Sequence, residues 1–446
     1  MKLPYFDKNE SFWIKTVLRD YPPKVLKGKI MADIAIIGAG LLGISSAYHL
    51  KQHFPDKHTV VVEAVRVANG ASGRNGGAVL ALTARESFDS TSWHFRKRRS
   101  LDESYLNIWE KTIYGLDLYQ QIIDQHGIDC GYTRQGYLSL AASHRDADAM
   151  ALYAEASSRL GIPVRFLDST QYRSFVEAEG YHGALYWPDY GQINPARYLC
   201  QLAGVVKEMG VDIYEHTPIL KIDYGRKCTL FTPMGEIKAD TIILATNAYT
   251  PRLGYFKDRI VPLINPCAVT RPLDPETLDN IGWHSTRGLD DSSPMVWYMG
   301  ITEDYRILIG GGDVDYIFGG NPCSLKDQVY KYKAHFKKAL IKRFPRAHDV
   351  EIEYVWTGPI DATLDLRPSV GIMGEYKNIL YGIGFTGEGV NLAHLSGKIL
   401  TDMYAGNIEP WQDLPFINYT LKRIPPDPFR YIVLKTSFAI GRRFFG

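Results

Sequence analysis

The 446-residue chain is most informative at first in what it has little of. It holds five cysteines, Cys130, Cys200, Cys228, Cys267 and Cys323, far apart and without a CxxC pair. That argues against a disulfide framework or a thiolate zinc site, and scattered thiols suit a reducing cytoplasm, the expected location. Net charge is nearly absent: 51 Lys and Arg face 49 Asp and Glu, leaving +2. Nucleic-acid binding as the main role is therefore not expected. No stretch approaches the roughly 20 apolar residues that span a bilayer. The opening "MKLPYFDKNESFWIKTVLRD" lacks an apolar core of signal-peptide length. Internal repeats and low-complexity tracts are also missing.

What is present describes a globular chain. It is 45% hydrophobic and 22% charged, and its length calls for two or more domains. Aromatics reach 12%, with 29 Tyr, which fits either large buried surfaces or an aromatic-lined pocket.

Along the chain, residues 1–30 read as an arm. Asp33 to Ile37 is a short apolar run, Gly38, Gly40 and Gly43 follow, and a helical pattern runs from Leu42 to Phe54. "HTVVVEA" is a second buried-type strand. Helices and strands alternate at both ends of the chain, while the middle is mixed. This predicts an α/β nucleotide-binding domain interrupted by insertions that build a second, α+β domain.

The strongest chemical signal is Gly38-Ala39-Gly40-Leu41-Leu42-Gly43, which follows a predicted strand and opens a predicted helix. Glu63 ends the next strand, 20 residues after Gly43. That context is the dinucleotide fingerprint. Gly38 permits the turn, Gly40 lets the backbone approach a pyrophosphate, and Gly43 allows close helix–strand packing. The helix N-terminus supplies unpaired N–H groups for phosphates, and Glu63 is placed to accept hydrogen bonds from a ribose. The fingerprint alone does not separate NAD from FAD. The loop "NGASGRNGGAV" leans toward FAD, because Gly70, Gly73, Gly76 and Gly77 clear side chains where a flat ligand could press on the main chain. On composition alone it also reads as a flexible surface loop.

With these motifs the chain resembles the D-amino-acid oxidase-like superfamily of FAD-dependent amine oxidoreductases over residues 30 to 405. Its "SGRNGG" loop is similar to that of the gamma-glutamylputrescine oxidoreductase group. "TPI", "ATNAYT", "WTGPIDATLDLRPSVG" and "GIGFTGEGVNLAHLSGK" match further family segments in the family's order. The resemblance implies a Rossmann-like FAD-binding domain (31–90, 190–255 and 355–410) interleaved with a mixed-sheet substrate domain (91–189 and 256–354), and a tail from 411. It implies non-covalent FAD held by the fingerprint residues with Leu42, Glu63 and Ala64. Further contacts are Ser72, Arg74, Asn75, Gly76 and Gly77, then Thr217, Pro218, Ala245, Thr246 and Asn247. Gly358, Asp365, Gly384, Thr386, Gly387, Glu388, Gly389 and Val390 complete the set. Relatives with covalent flavin use a cysteine within the segment matching 356–371, where this chain has none. Amino-acid-oxidising relatives such as glycine oxidase carry a carboxylate-binding arginine where this chain has Ile360. That leans toward an amine substrate, unless Arg74, Arg134 or Arg306 supplies the charge.

The implied chemistry is hydride transfer from the carbon beside the amine nitrogen to FAD, with oxygen or another acceptor closing the cycle. His94 and Tyr298 are the candidate catalytic side chains. The residue types alone favour a structural histidine for His94 and core packing for Tyr298 and Tyr305. The tail, with Arg430, Lys435, Arg442 and Arg443 among aromatics, reads as a membrane-surface helix or as a cap on the domain. The alternative functions are an amino-acid oxidase or dehydrogenase, and a flavin-binding partner without free-substrate turnover.

Overall fold

In a computed structural model, residues 10–17, 22–92, 95, 100–320 and 329–445 are described. Two eight-stranded sheets organise them. The first is built on the parallel strands Gly28–Ile37, Thr59–Val62, Asp212–Tyr214, Gly235–Leu244 and Ile379–Ile383. Ser369–Met373 closes one edge in antiparallel fashion. The carboxyl half of the Gly28–Ile37 strand is buried on both faces, as is all of Thr59–Val62. This explains why these segments are unbroken apolar runs rather than alternating ones. The helices Leu41–His53 and Gly389–Ala405 pack together over one face, locked where a Cβ on Gly397 would fall 2.4 Å from Ser45 Oγ. The meander Lys221–Asp223, Cys228–Phe231 and Gly235–Leu244 extends the sheet on the other side.

The second sheet runs Ile352–Ala362, Val261–Thr270, Ile307–Gly311, Trp297–Ile301, Gly288–Asp291, Tyr137–Leu140, Ala184–Trp187, Arg165–Leu167. The 3₁₀ turn Tyr172–Ser174 and the helices Pro275–Ile281 and Val329–Arg343 share a second hydrophobic core with this sheet. Two boundaries differ from the sequence reading. The first strand begins at Gly28, inside the expected arm, because Gly28–Ala32 pairs with Gly235–Ala239. Residues 355–362, expected in the cofactor domain, belong to the strand Ile352–Ala362, which pairs with Val261–Thr270 in the second sheet. The arm is also less loose than its composition suggests: Phe12, Trp13 and Ile14 are buried, and Trp13 donates to the Asn75 carbonyl at 2.8 Å.

Among the described residues, no helix is long and apolar enough to cross a membrane. The tail forms the helix Phe429–Phe445. Its inner face buries Phe438 against Val261, Tyr316 and Ala362, and Lys435 ion-pairs with Asp315. Its outer face leaves Phe429, Ile432, Val433 and Ile440 exposed.

Candidate active site

A cavity of about 420 Å³ lies where the two sheets meet. Three segments of the first sheet's domain reach it, each a strand that ends in a turn. The first is the fingerprint. A Cβ on Gly38 would sit 2.5 Å from the Ala245 carbonyl, one on Gly40 2.7 Å from Ser72 Oγ, and one on Gly43 1.9 Å from the Gly38 carbonyl. The helix that follows has no side-chain cap from Gly40. Leu41 N–H is taken by Ser72 Oγ at 3.0 Å, while the remaining first-turn N–H groups have no acceptor within the helix. Glu63 accepts from Ala39 N–H at 2.9 Å and Val65 N–H at 3.0 Å, and burial pushes its carboxyl above the usual range. Thr217 N–H donates to the Glu63 carbonyl at 2.9 Å, which sets Thr217 and Pro218 beside that acid.

The second segment is the glycine loop, a 3₁₀ turn over Ala71–Gly73 and its flanks. Its polar side chains are engaged by main-chain groups of the loop and of its neighbours. Asn75 donates to the Ala71 and Ser72 carbonyls and accepts from Gly77 N–H. Buried Arg74 donates to the Asn69 carbonyl at 2.6 Å and the Thr357 carbonyl at 3.1 Å, tying the loop to the second sheet. The glycines answer to neighbouring protein atoms: a Cβ would meet Ala68 O at Gly73, the Tyr298 ring at Gly76 and Ile193 O at Gly77. At Gly70 it would meet nothing within 4 Å. Their clearance is thus filled by the chain's own packing, a finer reading than the open space for a flat ligand expected from sequence.

The third segment runs from Gly384 to the helix Gly389–Ala405. Gly384 N–H donates to Asp361 Oδ2 at 2.5 Å. Burial lifts that carboxyl to about 6, against the pull of the backbone N–H groups. Thr386 Oγ1 donates to the Gly384 carbonyl and accepts from Thr363 N–H. Glu388 is the helix N-cap position but makes no side-chain cap.

The wall includes Gly40, Leu42, Ser72, Arg74, Asn75, Gly76, Ala245, Asn247, Gly358, Tyr298 and Thr386 through Val390, all expected from sequence. Gly38, Gly43, Glu63, Thr217 and Thr246 stand behind or beside it. Ala64, next to Glu63, and Gly77 and Gly384 are likewise outside the lining. Asp365 is remote from the wall: it accepts from Tyr419 and ion-pairs with Lys422, so it ties a turn to the tail. His94 lies outside the described residues, as do Trp93 and Cys323. Tyr305 is 40% exposed and lies away from the cavity. Tyr298 packs its ring over Gly76, and its hydroxyl is 2.9 Å from Cys267 Sγ. Burial raises the Tyr298 phenol and pushes the Cys267 thiol up to about 12, so both stay protonated near neutrality.

Sequence reasoning missed Tyr137, Asn265, Cys267, Asp290 and Asp361 as wall residues, and it missed Phe438, which brings the tail helix over the cavity. Only Asp361 had a nearby signal, three positions after the Trp356–Gly358 motif.

These features fit FAD: two uncapped helix N-termini, a glycine cradle no Cβ can enter, and a buried acid at the end of the second strand. Residues 33–403 match the family described as FAD-dependent oxidoreductase, DAO, and the chain belongs to it. It is an FAD-dependent oxidoreductase.

The relatives extend that finding. The chain is 28% identical to a probable oxidoreductase OrdL of Haemophilus influenzae, covering 91% of this chain and 88% of the relative. It is 28% identical to the gamma-glutamylputrescine oxidoreductase of Escherichia coli strain K12, covering 90% of each. In three dimensions it is similar to glycine oxidase from Geobacillus kaustophilus, with a TM-score of 0.71 at 20% identity, over 88% of this chain and 99% of that one.

Proposed function

We propose that the protein oxidises a primary or secondary amine, a polyamine derivative being the leading class, to an imine that hydrolyses to an aldehyde. The observation that carries this reading is the charge of the cavity wall. Among the described residues it holds three acids, Asp290, Asp361 and Glu388, and one cationic side chain, Arg74. That guanidinium faces the Asn69 and Thr357 carbonyls. Ile360 is in the wall, whereas Arg134 is paired with Asp117 and Asp189, and Arg306 with Asp304 and Glu353, both away from it. With Asp361 and Glu388 ionised, a substrate carboxylate would meet repulsion here, and an ammonium would meet attraction.

FAD, when bound, supplies the two-electron acceptance that takes hydride from the carbon beside nitrogen. The chain's own residues do the rest. The fingerprint and Glu63 would hold the adenosine and pyrophosphate half. The N–H groups of the helix starting at Gly389 would face the ring end and favour negative charge there. Tyr137, Tyr298, Met295, Val296, Phe385 and Phe438 line the remaining space and limit water. An electron acceptor, oxygen or another, then closes the cycle. The relatives' names support the substrate class: gamma-glutamylputrescine oxidoreductase, and a 4-methylaminobutanoate oxidase that is 22% identical over 386 residues.

We also propose that FAD is held non-covalently. Among the wall residues Cys267 is the one cysteine, and its thiol is protonated and engaged with Tyr298. Acid precipitation of the yellow protein should leave all flavin in the supernatant; colour retained in the pellet would contradict this. The substrate reading is tested by anaerobic bleaching of the bound flavin with a panel of amines and amino acids.

A further inference from the structure

Glu388 is unusual among the acids of this protein. Its carboxyl has no hydrogen-bond or ion-pair partner among the described residues, although the residue is half-buried in the cavity wall. The strand Gly288–Asp291 supplies a neighbouring acid and its own control. Alternation along the strand turns Asp290 and Asp291 to opposite faces. Asp291 accepts from the Tyr181 hydroxyl at 2.7 Å and from Arg343 at 3.2 Å, a satisfied buried pair. Asp290 belongs to the cavity wall, has no cation, hydrogen-bonds to Ser139, and leaves its buried Oδ1 without a partner. Asn265, also in the wall, leaves its buried Oδ1 without a donor. A carboxyl in a cavity wall without a protein partner calls for a donor-bearing, positively charged ligand.

We infer that Glu388 binds the substrate ammonium and takes its proton, with Asp290 beside it. This rests on the amine reading above. An ammonium has no lone pair, so hydride cannot leave its carbon until one N–H bond breaks. In this step the N–H electron pair stays on nitrogen and the proton goes to a Glu388 oxygen. FAD, when bound, would supply the acceptor for the hydride on the adjacent carbon; nitrogen's lone pair would then form the C=N bond, and water would release the aldehyde and ammonium or a smaller amine. The substrate has lost two electrons and two protons, one of the protons having passed through Glu388.

The surroundings suit this role. Burial alone lifts Glu388 to about 7. Asp290 is raised well above the usual carboxylate range, first by burial and also by the charge of Glu388, so it keeps its proton while Glu388 ionises. The other titratable groups that feel Glu388 are Tyr137, Tyr190 and Tyr298, all pushed upward by burial and neutral. Asp361, Arg74 and Cys267 complete the titratable wall. The N-terminus of the helix beginning at Gly389 favours the ionised form of Glu388.

The test is stopped-flow reduction of the FAD holoenzyme by γ-glutamylputrescine and by putrescine, from pH 5.5 to 10.5. The wild-type second-order rate constant should rise through about pH 7 as Glu388 ionises. Glu388→Gln should keep its flavin spectrum, react about 10²–10⁴-fold more slowly at pH 7, and lose the limb near 7. Its residual rate should climb only toward the amine's own pKa, about 10. Glu388→Asp should restore the limb at a reduced rate, and it carries the same test if Glu388→Gln loses FAD. A Glu388→Gln enzyme with the wild-type rate and pH profile, or a Glu388→Asp enzyme with no limb, would overturn the inference. Wild-type flavin bleached only by amino acids would overturn the amine reading instead, and this inference with it.

Discussion

Gly43→Ala should yield a protein that purifies without FAD and melts well below the wild type. The added methyl has nowhere to go: its position is 1.9 Å from the Gly38 carbonyl oxygen, 3.0 Å from the Gly38 carbonyl carbon and 3.3 Å from Ile36 Cγ2. Two of these atoms are backbone of the strand-to-helix turn, so they cannot swing aside like a side-chain end. The helix must slide outward along the strand, and the first-turn N–H groups move with it. The energetic cost should exceed the roughly 1–3 kcal/mol of ordinary overpacking. Gly70→Ala is the matched control in the other glycine-rich turn, where an added Cβ has no neighbour within 4 Å. It should retain FAD and the wild-type melting temperature. The measurement is the ratio of flavin to protein absorbance, with thermal unfolding of the same samples. A yellow, stable Gly43→Ala protein would contradict the account of the cradle.

Ile360→Arg should lower amine turnover by at least about 100-fold, corresponding to roughly 2.7 kcal/mol or more of transition-state stabilisation. Ile360 lies in the wall on the same strand as Asp361. A guanidinium there would compete with a substrate ammonium for Glu388 and Asp290, and its charge would pull Glu388 below about 7. It would also offer a carboxylate a bidentate partner that the native wall lacks. The expected result is therefore a crossed change: amine kcat/KM falls while flavin reduction by small amino acids rises from its wild-type level. Unchanged amine turnover would mean that substrate does not approach this part of the wall.

The parts of this protein that were legible in sequence are the local ones. Gly38, Gly40, Gly43 and Glu63 lie within one strand–turn–helix–strand unit, where short spacing dictates geometry. The return of the chain through "GIGFTGEGV" has the same strand–turn–helix grammar, with glycines around Glu388 that marked it as a ligand contact. The lack of a protein partner for its carboxyl cannot be read from neighbours in the chain. Asp290 was invisible for a different reason. "GLDDSSP" has little β propensity, yet Gly288–Asp291 is a strand because Tyr137–Leu140 and Trp297–Ile301 flank it on both sides. The wall collects residues 137, 265, 290, 360 and 388 from separate strands and turns, and only the folded sheet brings them together.

The loop "NGASGRNGGAV" was partly legible. Its composition marked it as special, but Arg74 is directed at the Asn69 and Thr357 carbonyls, so it clamps the loop to the second sheet. The tail left two readings from its mixture of aromatic and basic residues. Phe438 in the cavity wall corresponds to the cap, while the outward row of Phe429, Ile432, Val433 and Ile440 is the apolar stripe the other reading relied on.

The central claim is that this cavity accepts a substrate as an amine rather than through a carboxylate. Its most direct test is anaerobic titration of the FAD-loaded wild-type protein, following loss of the flavin's visible absorbance. γ-Glutamylputrescine, putrescine and simple secondary amines are compared with glycine, proline and other free amino acids. The account predicts that one or more of the amines bleaches the flavin, and at least about 100-fold faster than any simple amino acid. Bleaching by simple amino acids alone would contradict it.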